Sequence, residues 1–164
     1  MFFSLIFACG RPALVGPIID TSQWFFASTS LDFFPEHQPE VIDCPASAVR
    51  MELDQLEILT DVCNYALVGF ELLVDLPIGQ RIDGLVLHSG LFSVEEGGAH
   101  FAISIGDELF WTFEESIPSD AEFYYHEAPV AQRHVAGETV TVHLHNHGAN
   151  DWKIAEFQRQ DIEE

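Results

Sequence analysis

From Val140 onward, apolar Val140, Val142 and Leu144 alternate with polar Thr141, His143, His145 and His147. A strand turns successive side chains to opposite faces, so residues i and i+2 share a face about 6.8 Å apart. The pattern predicts a strand over 139–147, with a core face on one side and three imidazoles in a row on the other. The same alternation recurs upstream. Phe101, Ile103 and Ile105 alternate with His100, Ala102 and Ser104, and Leu109, Trp111 and Phe113 follow. Gly106-Asp107 between these runs predicts a two-residue hairpin turn of the Gly-first type. Val49, Met51 and Leu53 alternate with Arg50, Glu52 and Asp54. Leu56 and Ile58 then shift the parity, which predicts a bulge or turn near Gln55.

Further strands are predicted over 65–76, 81–88, 122–127 and 152–158. The first carries Phe70, Leu72, Val74 and Leu76 on one face. Turn residues separate them: Pro77-Ile78-Gly79-Gln80, Ala136-Gly137-Glu138 and Gly148-Ala149-Asn150. Ser89-Gly90 and Glu95-Glu96-Gly97-Gly98 bracket an expected loop holding Leu91 and Phe92. No convincing amphipathic helix, internal repeat or low-complexity tract interrupts the series. About eight short strands with Gly, Pro and Asn turns predict an all-β fold, an antiparallel β-sandwich of jelly-roll type.

The alternation starts near residue 47, which divides the chain into a sandwich domain over 47–158 and an acidic tail over 159–164. Ahead of the domain, residues 10–46 are punctuated by Pro12, Pro17, Pro35, Pro39 and Pro45 and read as a tether. Trp24-Phe25-Phe26 and Leu31-Asp32-Phe33-Phe34 are too apolar for an inert one. These aromatics are expected to dock on the sandwich or add an edge strand; left exposed, they would form a partner-binding patch. Residues 1–9 are apolar up to Ala8 and end at Cys9. They read as a truncated lipoprotein-type signal, with Cys9 as the lipidated residue. The other reading is a hydrophobic N-terminus packed on the domain.

Cysteine and charge narrow the setting. Cys44 and Cys63 form a pair that, in an exported chain, predicts a disulfide. Closing that loop would stabilise the fold by roughly 3 kcal/mol. Two buried thiols is the alternative. Lys and Arg total 6 against 27 Asp and Glu, a formal charge of -21. Such a surface repels phosphate backbones and anionic headgroups, which argues against nucleic acid and leaves a lipidated Cys9 as the route to a membrane.

Three chemistries fit residues of this chain. Neutral imidazoles are common ligands for zinc and copper, and a His-x-His pair on a strand can serve one ion. His143 and His145 are the candidate pair, with His147 too far along the strand to share an ion easily. A third ligand is expected from a neighbouring strand: His100 first, then His88, with His126 and His134 as further options. The alternative makes these histidines water-facing residues of a half-solvated sheet. A second chemistry is carbohydrate binding on Trp24, Trp111, Trp152, Tyr65, Tyr124 or Tyr125. Hydrolysis is the third, but no nucleophile elbow, zinc-protease, phosphate-loop or dinucleotide motif is present, and no enzyme is proposed.

Cys63-Asn64-Tyr65, His88 with Leu91-Phe92, Ala99-His100, Leu109-Phe110-Trp111, Ile117-Pro118 and His143-Leu144-His145-Asn146-His147-Gly148 with Asn150 and Trp152 form a pattern over residues 57–158. It resembles a group of uncharacterised bacterial secreted proteins and lipoproteins. The resemblance implies export to the cell envelope or beyond and a compact domain. It implies no reaction. The expectation is an exported, non-catalytic β-sandwich with a binding or envelope-structural role. The alternative is a zinc- or copper-binding protein.

Overall fold

The computed structural model describes residues 16–94 and 96–160. Cys9, the rest of 1–15 and the tail residues 161–164 lie outside them. Among the described residues eleven strands are formed: β1 (Gly16–Pro17), β2 (Phe25–Phe26), β3 (Val49–Glu52), β4 (Gln55–Leu59), β5 (Tyr65–Glu71), β6 (Arg81–His88), β7 (Gly97–Ile105), β8 (Glu108–Ile117), β9 (Glu122–Pro129), β10 (Thr139–Asn146) and β11 (Asp151–Arg159). One antiparallel sheet runs β3-β4-β11-β6-β9, with β1 on β11; the other runs β2-β5-β10-β7-β8. The expected β-sandwich is present, with eleven strands rather than about eight.

The difference has local causes. The parity shift near Gln55 is a turn: Leu53 and Asp54 take φ of 49° and 66°, and β3 returns on β4 as a hairpin. The N-terminal segment contributes β1 and β2, which pair with β11 and β5. The run expected over 65–76 stops pairing at Glu71, where Leu72 and Leu73 N–H turn to the carbonyls of Glu138 and Ile18. Gly97 and Gly98, expected in a loop, open β7 opposite Ile117 and Ser116. The hairpin at Gly106-Asp107 forms as predicted, with Ile105 opposite Glu108 and Gly106 at φ 56°.

Between the sheets lie the apolar alternates: Val140, Val142 and Leu144 of β10, Phe101, Ile103 and Ile105 of β7, and Trp152 and Ile154 of β11. Trp152 stacks on Phe101 across the core with ring centroids 6.0 Å apart, and its indole N–H donates to Asn146 Oδ1 at 3.2 Å.

The other face of the β10 sheet is also covered. Residues 24–44 fold back over it as a strap. At one end Phe25 and Phe26 pair with Gly69 and Val68. A Cβ on Gly69 would sit 2.4 Å from the Phe25 ring, so this approach needs glycine. At the other end Cys44 is bonded to Cys63, the predicted disulfide. Beside it, Asn64 Oδ1 accepts from Asp43 N–H at 2.9 Å and its amide donates to Val41 O at 3.0 Å. The strap buries His143 to 2% exposure, on the face that the alternative reading of the histidines left half-solvated.

Candidate metal centre

The site is built on the polar alternates of β7 and β10. His145 lies opposite His100, and His143 opposite Ala102, so His100 and His143 are diagonal neighbours on one face. Their ring centroids are 5.0 Å apart. A third ring comes from the strap. The Asp32 carboxylate accepts from Phe34 N–H at 3.0 Å, a turn that Asp favours. Pro35–His37 then forms a single 3-10 turn. This sequence of turns lowers His37 onto the sheet, 4.4 Å from His100 and 5.7 Å from His143 between centroids. One ligand nitrogen from each of the three rings lies within 4.8 Å of the others.

Hydrogen bonds set the rings. His143 Nδ1–H donates to Asp32 Oδ1 at 2.9 Å, which leaves Nε2 with a free lone pair. Asp32 Oδ2 in turn accepts from the Tyr65 hydroxyl. His100 Nε2 pairs with Thr112 Oγ1 at 2.9 Å; with the proton on Nε2, the Nδ1 lone pair is free. His37 Nδ1, His100 Nδ1 and His143 Nε2 are all buried and without a hydrogen-bond partner. The Phe34 ring lies against all three, with centroids 5.5, 4.3 and 5.6 Å away.

Titration follows the packing. Burial pushes His100 down to about 4, helped by repulsion from His143 and His37. Burial and the neighbours His147 and His37 bring His145 down to about 4. Both are neutral, lone-pair-bearing imidazoles at neutral pH. Burial raises the Asp32 carboxyl, but hydrogen bonds from His143, Tyr65 and the Phe34 amide outweigh it and hold the group below the usual carboxylate range. Asp32 is therefore the anionic partner that fixes the His143 ring from behind.

The other candidates divide. His145 is half-buried beside the trio, 5.8 Å from His37, and the exposed His147 is 4.5 Å beyond it. His88 belongs to the opposite sheet, buried against Trp152 at 4.7 Å, with Nδ1 accepting from Gly90 N–H at 3.2 Å. His126 stacks on Trp111, and His134 is held between Glu108 and Glu138. Of the aromatics weighed for sugar binding, Trp111, Trp152 and Tyr65 are buried, whereas Tyr125 is 55% exposed beside Phe123.

No family model matches the chain, and no curated protein matches it. Solved structures are similar at low identity. PfGH50B is 12% identical over 71% of this chain, with a TM-score of 0.39; the chain spans 21% of that protein. A structure of CBM4 is 9% identical over 87% of this chain and 89% of its own, with a TM-score of 0.46. TmCBM61, bound to β-1,4-galactotriose, is 13% identical over 93% and 89%, with a TM-score of 0.39. At these values no ligand is carried over to this chain.

Proposed function

We propose that this protein is an exported metal-binding β-sandwich that holds zinc or copper through His37, His100 and His143. One observation carries the reading: three touching imidazoles each present a buried nitrogen without a partner. An unpaired buried polar group costs about 1–3 kcal/mol, so three cost about 3–9 kcal/mol. That is comparable with the whole net stability of a domain, about 5–15 kcal/mol. A single ion satisfies all three at once.

The donor set supports the choice of ion. Imidazole-only ligation suits zinc and copper, whereas calcium and magnesium require oxygen ligands. Both Asp32 oxygens are engaged by His143, Phe34 and Tyr65. Tetrahedral ligation at about 2.0–2.1 Å puts ligand nitrogens about 3.4 Å apart, so the rings must close up on loading. His100 and His143 are fixed in paired strands. His37 stands on a surface turn and is the ring that moves in. The disulfide supports export. Lipid anchoring through Cys9 belongs to the proposal too, and labelling with a palmitate analogue tests it.

The test of metal binding is calorimetric titration of the full apo chain with zinc or copper chloride. Wild type should take up one equivalent. His37→Ala with His143→Ala should weaken binding well beyond the roughly 10–100-fold of a lost supporting contact, and His88→Ala should leave it unchanged. Absence of binding by wild type, or full binding by the double variant, would contradict the proposal.

A further inference from the structure

Two imidazoles outside the trio are unexplained by it. His145 and His147 have no side-chain hydrogen bond or ion pair among the described residues, yet their rings continue the series of ring contacts that begins at the trio. From the surface inward, the centroid separations are 4.5 Å for His147 to His145, 5.8 Å for His145 to His37, 4.4 Å for His37 to His100 and 5.0 Å for His100 to His143. Exposure falls along the same line, from exposed His147 through half-buried His145 and His37 to His100 at 8% and His143 at 2%.

These spacings have a chemical meaning. Two imidazoles on one tetrahedral ion hold their centroids about 5 Å apart. Each step of the series is close to that value, so an ion can pass from one pair of rings to the next and keep two nitrogen ligands throughout. A bare ion crossing the same ground would give up hydration with no ligand in exchange. The surroundings open on the same side. A cleft of about 570 Å³ is lined by His147, His145, His37 and His100 but not by His143. Phe34 packs against the trio. At the rim, His147 Cβ approaches Gly97 so closely that a Cβ there would be 3.0 Å away, and His147 N–H donates to Gly98 O at 3.1 Å. The two glycines let the outermost imidazole sit beside the mouth of the cleft.

We infer that His147 and His145 form a relay that loads and unloads the ion at the trio, which makes the metal an exchangeable cargo that the protein accepts and gives up. The inference rests on the metal-binding reading above. A relay on the path, unlike a ligand, changes both rates by one factor and leaves the equilibrium alone, because the forward and reverse passages share a transition state.

Stopped-flow measurements with zinc chloride and the full apo chain test it, with release followed into an excess of chelator. His147→Ala and His145→Ala should each slow loading and release by the same factor, about tenfold for one lost ligand in the transition state. The dissociation constant should stay within about a factor of two of wild type, less than a 1.4 kcal/mol, tenfold change. Weakened affinity at an unchanged loading rate would make the two rings ligands and overturn the relay. Unchanged rates would overturn it as well. A wild type that binds no zinc, or binding indifferent to His37→Ala with His143→Ala, would instead bring down the underlying metal reading.

Discussion

Asp32 provides the sharpest lever on the proposed site, because it holds the proposed ligand His143 without being one itself. Its carboxylate, 1% exposed at the side chain, accepts from His143 Nδ1–H at 2.9 Å, from Phe34 N–H at 3.0 Å and from the Tyr65 hydroxyl. Asp32→Asn keeps the shape but removes the charge. Hydrogen bonds to charged groups contribute about 1.5–3 kcal/mol and neutral ones about 1, so the apo fold should lose about 1–2 kcal/mol. Asp32→Ala strands the Tyr65 hydroxyl and the His143 N–H, at about 1–3 kcal/mol each, and should cost about 2–6 kcal/mol. The effect on the metal is separate. Without the anion, His143 is no longer held in the tautomer that frees Nε2, and zinc affinity should fall about 10–100-fold in Asp32→Asn. Chelator competition on the folded variant reads the affinity, and urea unfolding of the apo protein reads the stability. An Asp32→Asn protein that loses stability as expected but binds zinc like wild type would refute the assignment of Asp32 as the orienting group.

Two other features make separate predictions. The disulfide closes a loop with a sequence separation of 19, and Cys44→Ser with Cys63→Ser should cost about 3 kcal/mol by chain entropy, read by urea unfolding. Because the strap carries Asp32 and His37, the same change should also weaken zinc binding; unaltered binding would show that the sheet alone orders the site. His134 is buried between Glu108 and Glu138, each accepting from one ring nitrogen at 2.9 Å. Burial lowers its basicity, but the two carboxylates outweigh that and raise it. A raised folded value means stabilisation that is complete below the unfolded value of about 6.5 and lost as pH rises through the folded value. The stability difference between wild type and His134→Gln should therefore shrink on going from mildly acidic to alkaline pH. Glu138 is held low by the Val135 amide and by His134, so its own contribution is lost only as pH falls through its depressed value. A difference that grows with pH above neutrality would contradict the imidazolium assignment.

Much of the sandwich was legible because half-buried strands repeat every two residues. Val140, Val142 and Leu144, and Phe101, Ile103 and Ile105, fix both registers and place His143 and His100 on the same outward parity. Which sheet a strand joins leaves no such mark. His88 ends its strand with the right residue type, but β6 lies in the sheet that does not carry β10. His37 was invisible for another reason. It stands in a proline-punctuated segment with no period, and a reversal of the chain brings it to the sheet. A signal was nevertheless there. The Cys44–Cys63 pairing ties a point seven residues after His37 to the start of β5, the neighbour of β10. Aromatic Phe33 and Phe34, just ahead of His37, mark that stretch of chain as one that docks. A covered outer face followed from those two facts together, and with it a buried fate for His143.

The proposed centre is one ion held jointly by His37, His100 and His143. Anomalous diffraction at the zinc or copper absorption edge, from crystals of the metal-loaded protein, locates such an ion without reference to any variant. A dominant peak is expected about 2.0–2.1 Å from one nitrogen of each of the three rings. A saturated crystal whose peak lies elsewhere, or that shows none among these rings, would contradict it.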